Sequence, residues 1–87
     1  MRAVFVMLKV EPGTLHEVSQ AIAELEIVSE MYSVVGDHDL MAKVYVDSFE
    51  QLAEIVNDRI HKVPHVRETK TVITFDAYDV PKPKHRT

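Results

Sequence analysis

The sequence predicts one α+β domain in which two strand–helix–strand units contribute to a single antiparallel sheet. The chain has 87 residues, which is enough for one domain. Apolar residues alternate in four segments, and two other segments space them three and four positions apart, so the order is βαβ–βαβ. Right-handed crossovers would place both helices on one face of a four-stranded sheet. This is the ferredoxin-like βαββαβ arrangement.

The first half of the chain predicts a strand, a capped helix and a second strand. Residues Ala3 to Val10 are rich in β-branched and apolar residues and predict the first strand. Thr14 precedes Glu17 by three residues, a spacing that predicts a capping box. Residues Ile27 to Val35 predict the second strand. The apolar stripe of the first helix is formed by Leu15, Val18, Ile22 and Leu25.

The second half repeats this order. Residues Leu40 to Val46 predict the third strand, and Ser48 with Gln51 repeats the capping spacing. Residues Val66 to Tyr78, with threonines and aromatic residues, predict a long fourth strand. The apolar stripe of the second helix is formed by Phe49, Leu52, Ala53, Val56 and Ile60.

Both faces of the predicted sheet are substantially apolar. Alternation along the first strand points Val4, Val6, Leu8 and Val10 one way, and Ala3, Phe5, Met7 and Lys9 the other. Two helices cover only one face, so we expect a second copy to cover the other, in a two-fold dimer of αβ-barrel type. The alternative is that a few exposed apolar residues are ordinary and need no partner.

Composition excludes several classes of function. The chain has no cysteine, which rules out disulfides, thiolate zinc sites and cysteine nucleophiles. The formal net charge is −4, and Lys82, Lys84 and Arg86 in the last six residues leave the preceding part more acidic still. Such a surface argues against direct binding of nucleic acid and of an anionic membrane. The apolar start of the chain is too short to span a bilayer, so we expect a cytoplasmic protein.

These features predict a domain at residues 1–80 and a basic, flexible tail at residues 81–87. The tail alternates proline and lysine and has no apolar residue after Val80.

The turn between the second and third strands carries the candidate site. Gly36 can adopt a positive φ, which would let the turn close tightly and leave backbone N–H groups pointing outward for a carboxylate. Asp37 and Asp39 would face an ammonium group, so the turn suits a free α-amino acid. Thr69 and Thr71 share one face of the fourth strand, and a neighbouring copy would bring their hydroxyls to the turn. The alternative is that glycine and aspartate are simply favoured in turns, and threonine in strands.

The histidines leave further alternatives. His38 would either line the pocket or be a solvated turn residue; if it lines the pocket, effector affinity should change between about pH 5.5 and 7.5. His61 and His65 have the spacing of two zinc ligands on one helix face, but Pro64 interrupts that helix. We therefore predict no metal site. The absence of phosphate-loop and dinucleotide motifs leads us to predict no cofactor.

The layout with Gly36, Asp37, His38 and Asp39 at its centre resembles the effector-binding domain of the Lrp/AsnC family of transcription regulators. In that family a glycine, two variable residues and an aspartate lie between the second and third strands, followed by an apolar strand that here begins at Leu40. The family often has a tyrosine before the aspartate, where this chain has His38. The threonine pair also matches, and the resemblance covers roughly residues 2 to 79.

The resemblance implies binding of an amino acid or similar small effector in clefts between dimers, with dimers assembled into rings. It makes the expected ligand-binding set Gly36, Asp37, His38, Asp39, Leu40, Thr69 and Thr71. Family members usually carry an N-terminal helix-turn-helix, which the sequence lacks. We therefore expect a stand-alone effector domain that does not bind DNA directly, and that has a full-length regulator of the family as a possible partner.

Two other functions compete with the sensing module. Dimeric ferredoxin-like barrels also include small monooxygenase-type enzymes with a cavity between sheet and helices. Such a site needs a polar group inside the cavity, and the two helix stripes contain none, which favours a filled core and no enzyme activity. The third possibility is a structural interaction module that binds no ligand.

Overall fold

A computed structural model describes residues 1–82 as a four-stranded sheet with two helical segments. The elements in chain order are β1 (Arg2–Val10), α1 (Leu15–Ala23), β2 (Glu30–Ser33), β3 (Leu40–Val46), α2 (Phe49–Ala53) continued by a π-helix (Glu54–Ile60), and β4 (Val66–Ile73). Residues 83–87, on which most of the predicted basic tail falls, lie outside the described residues. No helix within residues 1–82 is long and apolar enough to cross a bilayer.

The sheet confirms the predicted ferredoxin-like fold. Its strand order is β2-β3-β1-β4, and every neighbouring pair is antiparallel. β1 is therefore central, and Leu8 pairs with Leu40 of β3 on one side and with Thr69 of β4 on the other. Residues in register across a sheet share a face, so this row of three side chains points toward the helices.

The core lies between the helices and one face of the sheet. Val4, Val6 and Leu8 of β1 are fully buried, as predicted from their alternation. No polar or charged residue is buried within residues 1–82. The buried core consists of Val4, Val6, Leu8, Val10, Val18, Ile22, Leu40, Ala42, Val44, Val46, Leu52, Ile55, Val56, Ile60 and Val63.

Two strands are shorter than the sequence predicts. β2 begins at Glu30 instead of Ile27, because Glu26 adopts a left-handed φ of 59° that turns the chain before it can pair. β4 ends at Ile73 instead of Tyr78. Beyond Ile73, the Arg2 guanidinium Nη1 donates to the carbonyls of Thr74 and Phe75 at 2.6 and 2.7 Å. A side chain thus binds the carbonyls that a longer ladder would have used.

One of the two predicted helix caps forms. The Ser48 hydroxyl accepts a hydrogen bond from the Gln51 N–H at 3.1 Å, which satisfies an orphan amide at the start of α2. The capping box predicted at Thr14 is wrong. Thr14 has φ −112° and ψ 7° instead of an extended backbone, and its hydroxyl donates to the Glu11 carbonyl at 2.6 Å. The side chain therefore closes the preceding turn instead of capping α1.

The inward face of the second helical segment is rotated from the predicted one. Phe49 is 76% exposed and Ala53 is exposed, although the periodicity predicts both in the apolar stripe. Ile55, which was not assigned to it, is 6% exposed and belongs to the core. The π-helix carries this face on to Ile60, and the His61 N–H donates to the Val56 carbonyl five residues back.

Candidate functional site

The turn between β2 and β3 is shaped by Gly36. Its φ is +135°, a conformation that residues with a side chain rarely adopt. A Cβ at this position would meet no atom within 4 Å. Glycine is therefore needed because of this backbone conformation, since the surroundings would leave room for a side chain.

Asp39 fastens this turn to the central strand. Its N–H donates to the Leu8 carbonyl at 2.9 Å, and its carbonyl accepts from the Val34 N–H at 3.0 Å. Its carboxylate oxygen Oδ2 accepts from the Val10 N–H at 3.0 Å, in a partly buried position. Asp39 thus has a structural role that the sequence analysis missed, because the Val10 partner lies 29 residues away along the chain.

The other three turn residues have amides without a backbone partner. Within residues 1–82, the N–H groups of Gly36, Asp37 and His38 donate to no backbone carbonyl. Asp37 is exposed, and His38 is half-buried. Successive backbone N–H groups in a turn can form a concave site for an anion.

The structure does not bring the two threonines to the turn within one copy of the chain. Thr69 and Leu40 lie on opposite sides of Leu8, so β1 separates them by two strand spacings, about 10 Å. The Thr69 hydroxyl forms a hydrogen bond with Nε2 of His61 at 2.8 Å. Thr71 is half-buried one step along the same face, in register with Val6.

Two shallow depressions lie beside the turn and meet at Leu15. Asp39 lines the first, of about 260 Å³, and Leu40 lines the second, of about 370 Å³. The first is completed by Val10, Glu11, Pro12, Gly13 and Leu15, and the second by Leu15, His16, Ser19, Met31 and Ser33. The turn therefore borders an acidic depression and a second one that Leu15, Met31 and Leu40 make partly apolar.

The two histidines with zinc-like spacing bind different partners. The His61 ring contacts Thr69, whereas the His65 ring lies between Glu11 and Glu17. Within residues 1–82, no group of three or more histidine, aspartate or glutamate side chains is arranged to hold a metal ion. The hydrogen bond with Glu11 raises the pKa of His65, and the negative charge of Glu17 adds to this, while partial burial opposes it.

The sheet face away from the helices has an ionic network surrounded by apolar side chains. Nζ of Lys43 lies 5.2 Å from the ring centre of Tyr45 and 6.0 Å from that of Phe5, and 3.6 Å from a Glu30 carboxylate oxygen. The Tyr32 hydroxyl donates to Glu30, and this hydrogen bond lowers the pKa of Glu30 and raises that of Tyr32.

Comparison with known proteins identifies relatives over nearly the whole chain. The family described as the Lrp/AsnC ligand binding domain matches residues 3–82. LrpA of Pyrococcus abyssi, a helix-turn-helix-type transcriptional regulator, is 34% identical over 65 residues, which are 75% of this chain and 46% of LrpA. An uncharacterised regulator of the same type and organism is 29% identical over 76 residues, 84% of this chain and 51% of the relative. The chain thus spans about half the length of these relatives.

A solved structure matches the same region. The protein TTHA0845 from Thermus thermophilus is 35% identical and superposes with a TM-score of 0.85. The match covers 92% of this chain and 100% of the TTHA0845 chain. TTHA0845 therefore has the same βαββαβ fold, and this fold accounts for its whole solved chain.

Proposed function

Because the chain belongs to the Lrp/AsnC ligand-binding domain family, we propose that it senses an amino acid or a similar small effector at the β2–β3 turn. The family consists of transcription regulators and not of enzymes. The observation that carries the proposal is the combination, in one turn, of three backbone amides without a backbone partner and the carboxylate of Asp39.

The chemistry of this turn fits a zwitterion. The N–H groups of Gly36, Asp37 and His38 would donate to the α-carboxylate of the effector. Oδ2 of Asp39 is bound to Val10, so its second oxygen, Oδ1, would accept from the α-ammonium group. Leu40 borders the neighbouring depression, which would receive the effector side chain. The structural hydrogen bond of Asp39 supports this role, because it holds the carboxylate in place before the ligand arrives.

Thr69 and Thr71 enter this pocket only from another copy. Within one chain they lie across β1 from the turn, with about 10 Å between Thr69 and Leu40. A second copy brought against this end of the sheet would supply their hydroxyls and complete the site. We therefore propose that the pocket is composite, formed where dimers meet.

The open face of the sheet supports the dimer that this assembly requires. Tyr45 and Val72 on this face are each 43% exposed, and Phe5 and Met7 are half-buried. Pairing with the same face of a second copy would bury them in an isologous interface. Such dimers would then associate into larger rings around the composite sites.

The proposed mechanism is a population shift. An effector that binds only where two copies complete the pocket favours that assembly over its dissociated parts. The output would be a change in oligomeric state, or in association with a full-length regulator of the family. We do not propose direct nucleic-acid binding, because the residues before Pro81 carry a net negative charge. We also propose that the chain acts in the cytoplasm, because the transcription regulators to which it is similar act where the genes that they control lie.

The test is calorimetric titration of the 87-residue chain with each of the twenty amino acids. L-methionine comes first, because a regulator from Neisseria meningitidis with this fold was solved in complex with it. Asp39→Asn keeps an oxygen to accept from Val10 but removes the charge that would face an ammonium group. We expect binding to weaken about tenfold or more in this variant, with the melting temperature nearly unchanged.

Asp58→Asn is the matched control, because it removes the same charge from an exposed position on the π-helix. It should bind like the unmodified chain. If none of the twenty amino acids produces heat or a shift in melting temperature, the sensing role is wrong. The half-exposed apolar sheet face would then favour the second candidate, a structural module that assembles without ligand.

A further inference from the structure

Three separate segments meet around the imidazole of His65. Nδ1 lies 2.9 Å from Oε1 of Glu11, in the connection between β1 and α1. Nε2 lies 3.3 Å from Oε2 of Glu17, in the first turn of α1. His65 itself belongs to the connection between the π-helix and β4, where its φ of 75° places it in the left-handed region. One ring thus joins two connections and a helix.

This arrangement selects the protonated ring. A neutral imidazole has one N–H and one acceptor nitrogen, whereas a carboxylate only accepts. Only the imidazolium form can donate to Glu11 and Glu17 at the same time. Within residues 1–82, no other carboxylate forms an ion pair with the ring, and His61 on the same connection is hydrogen-bonded to Thr69 instead.

The start of the β1–α1 connection, at Val10 and Glu11, also holds the turn of the candidate site. The Glu11 N–H donates to the His65 carbonyl at 3.0 Å. His65 and Glu11 are therefore hydrogen-bonded through both their main chains and their side chains. The residue before Glu11 is Val10, whose N–H donates to Asp39 at 3.0 Å. The pairing of β1 with β4 shifts register between Lys9 and Val10, so the ladder alone does not fix this backbone.

We propose that Glu11, His65 and Glu17 form a proton-dependent clasp that sets the position of the Val10–Asp39 hydrogen bond. We further propose that the clasp makes effector affinity depend on pH, a step that rests on the proposed function. With the ring protonated, the β1–α1 connection is held and Asp39 is positioned to bind. When the ring loses its proton, one carboxylate is released and the connection loosens.

The sign follows from the direction of the pKa change. The hydrogen bond with Glu11, and then the charge of Glu17, raise the pKa of His65 in the folded protein above its ordinary value of 6.5. The contribution of the clasp is therefore complete below about pH 6.5 and is lost as the pH rises through the folded pKa. Because the side chains of all three residues are more than a third exposed, the effect is expected to be modest.

The first experiment needs no ligand. In an isotope-labelled 87-residue chain, NMR follows the His65 ring and the Val10 backbone amide as the pH is raised. We expect the Val10 amide to shift with the midpoint of the His65 ring. That midpoint should fall in Glu11→Gln and in Glu17→Gln but not in Glu24→Gln, which removes the same charge from the far end of α1. The clasp is wrong if the Val10 amide does not shift as His65 titrates. It is also wrong if neither Glu11→Gln nor Glu17→Gln changes the midpoint of the His65 ring.

The second experiment measures binding of L-methionine, or of the amino acid that gives the largest heat in the calorimetric screen, at pH 6 and pH 8.5. We expect affinity to fall about two- to five-fold at the higher pH, and His65→Gln to remove this difference. Equal affinities at both pH values overturn the regulatory step. A difference that persists in His65→Gln overturns it as well, because it then belongs to another group. If no amino acid binds although Val10 still follows His65, the proposed function fails and the clasp stands.

Discussion

The two faces of the same four strands have opposite relations to the rest of the chain. On the covered face, Val4, Val6 and Leu8 of β1 are fully buried by the helices of their own chain. On the open face, the intervening residues Phe5 and Met7 are half-buried, although they are also large and apolar. The covered face therefore determines how one chain folds, and the open face leaves large apolar side chains that the chain does not fully bury by itself.

The open face differs from an ordinary solvated one in how it places its charge. Lys43 lies over the rings of Tyr45 and Phe5 and pairs with Glu30, so its ammonium group stays close to the sheet. An aromatic face attracts a cation in this way without becoming polar around it. The face thus keeps an apolar surface suited to a second copy, with one ionic network near its centre.

The largest effect that this comparison predicts is on the covered face. Leu8→Ala should lower the free energy of unfolding by about 2–5 kcal/mol, because it leaves a cavity in the row between Leu40 and Thr69. Urea unfolding measures this value. Met7→Ala, at the neighbouring position on the open face, is the matched control and should cost clearly less. Equal losses for the two variants would contradict the assignment of the core to one face.

We expect a substitution on the open face to have a smaller effect on stability but a large effect on assembly. Phe5→Asp replaces an apolar ring, where the two copies of the proposed dimer would meet, with a carboxylate. Association would then have to remove water from this carboxylate and from its cross-strand partner Lys43, which is costly. We expect sedimentation equilibrium to show the mass of a single chain at concentrations where the unmodified protein is a dimer. The circular dichroism spectrum should be unchanged.

Asn57→Asp adds the same charge at an exposed helical position and should leave the mass unchanged. A single-chain mass for the unmodified protein at every concentration would remove the dimer from the proposal. A dimer mass for Phe5→Asp would place the interface on another surface.

Much of the fold was predictable because its causes are local. The alternation in β1 correctly predicts which residues of this inner strand share each face, and Gly36 correctly marks the turn. Sheet register is not local, however. The alternation correctly predicts that Thr69 and Thr71 share one face of β4, but it does not show that β1 separates them from the turn.

The connections that hold the candidate site are the least predictable part. The bond between Val10 and Asp39 spans 29 residues, and the contact between Glu11 and His65 spans 54. No spacing rule links residues so far apart in the sequence. The place of Asp39 in the turn therefore predicts ligand binding, whereas only the three-dimensional structure shows its hydrogen bond to Val10.

Phe49 shows the limit of periodicity within a single helix. The periodicity predicts that it belongs to the buried stripe, because Leu52, Val56 and Ile60 follow it at helical spacings. It occupies the first position of α2, however, and the inward face turns toward Ile55, so Phe49 is 76% exposed. An apolar residue in the first turn of a helix can match the period and still lie beyond the surface that the helix covers.

The smallest expected effect tests this correction. Phe49→Ser should change the free energy of unfolding by no more than about 0.5 kcal/mol, because the substitution removes little buried surface. Leu52→Ala, one turn further along the same helix and only 7% exposed in the unmodified chain, should cost about 2–5 kcal/mol in the same urea titration. A loss of more than about 2 kcal/mol in Phe49→Ser would mean that the ring is buried in solution. Because Phe49 lines a depression of about 220 Å³ with Leu52 and Ile73, the same loss appearing only at high protein concentration would instead show that another copy covers it.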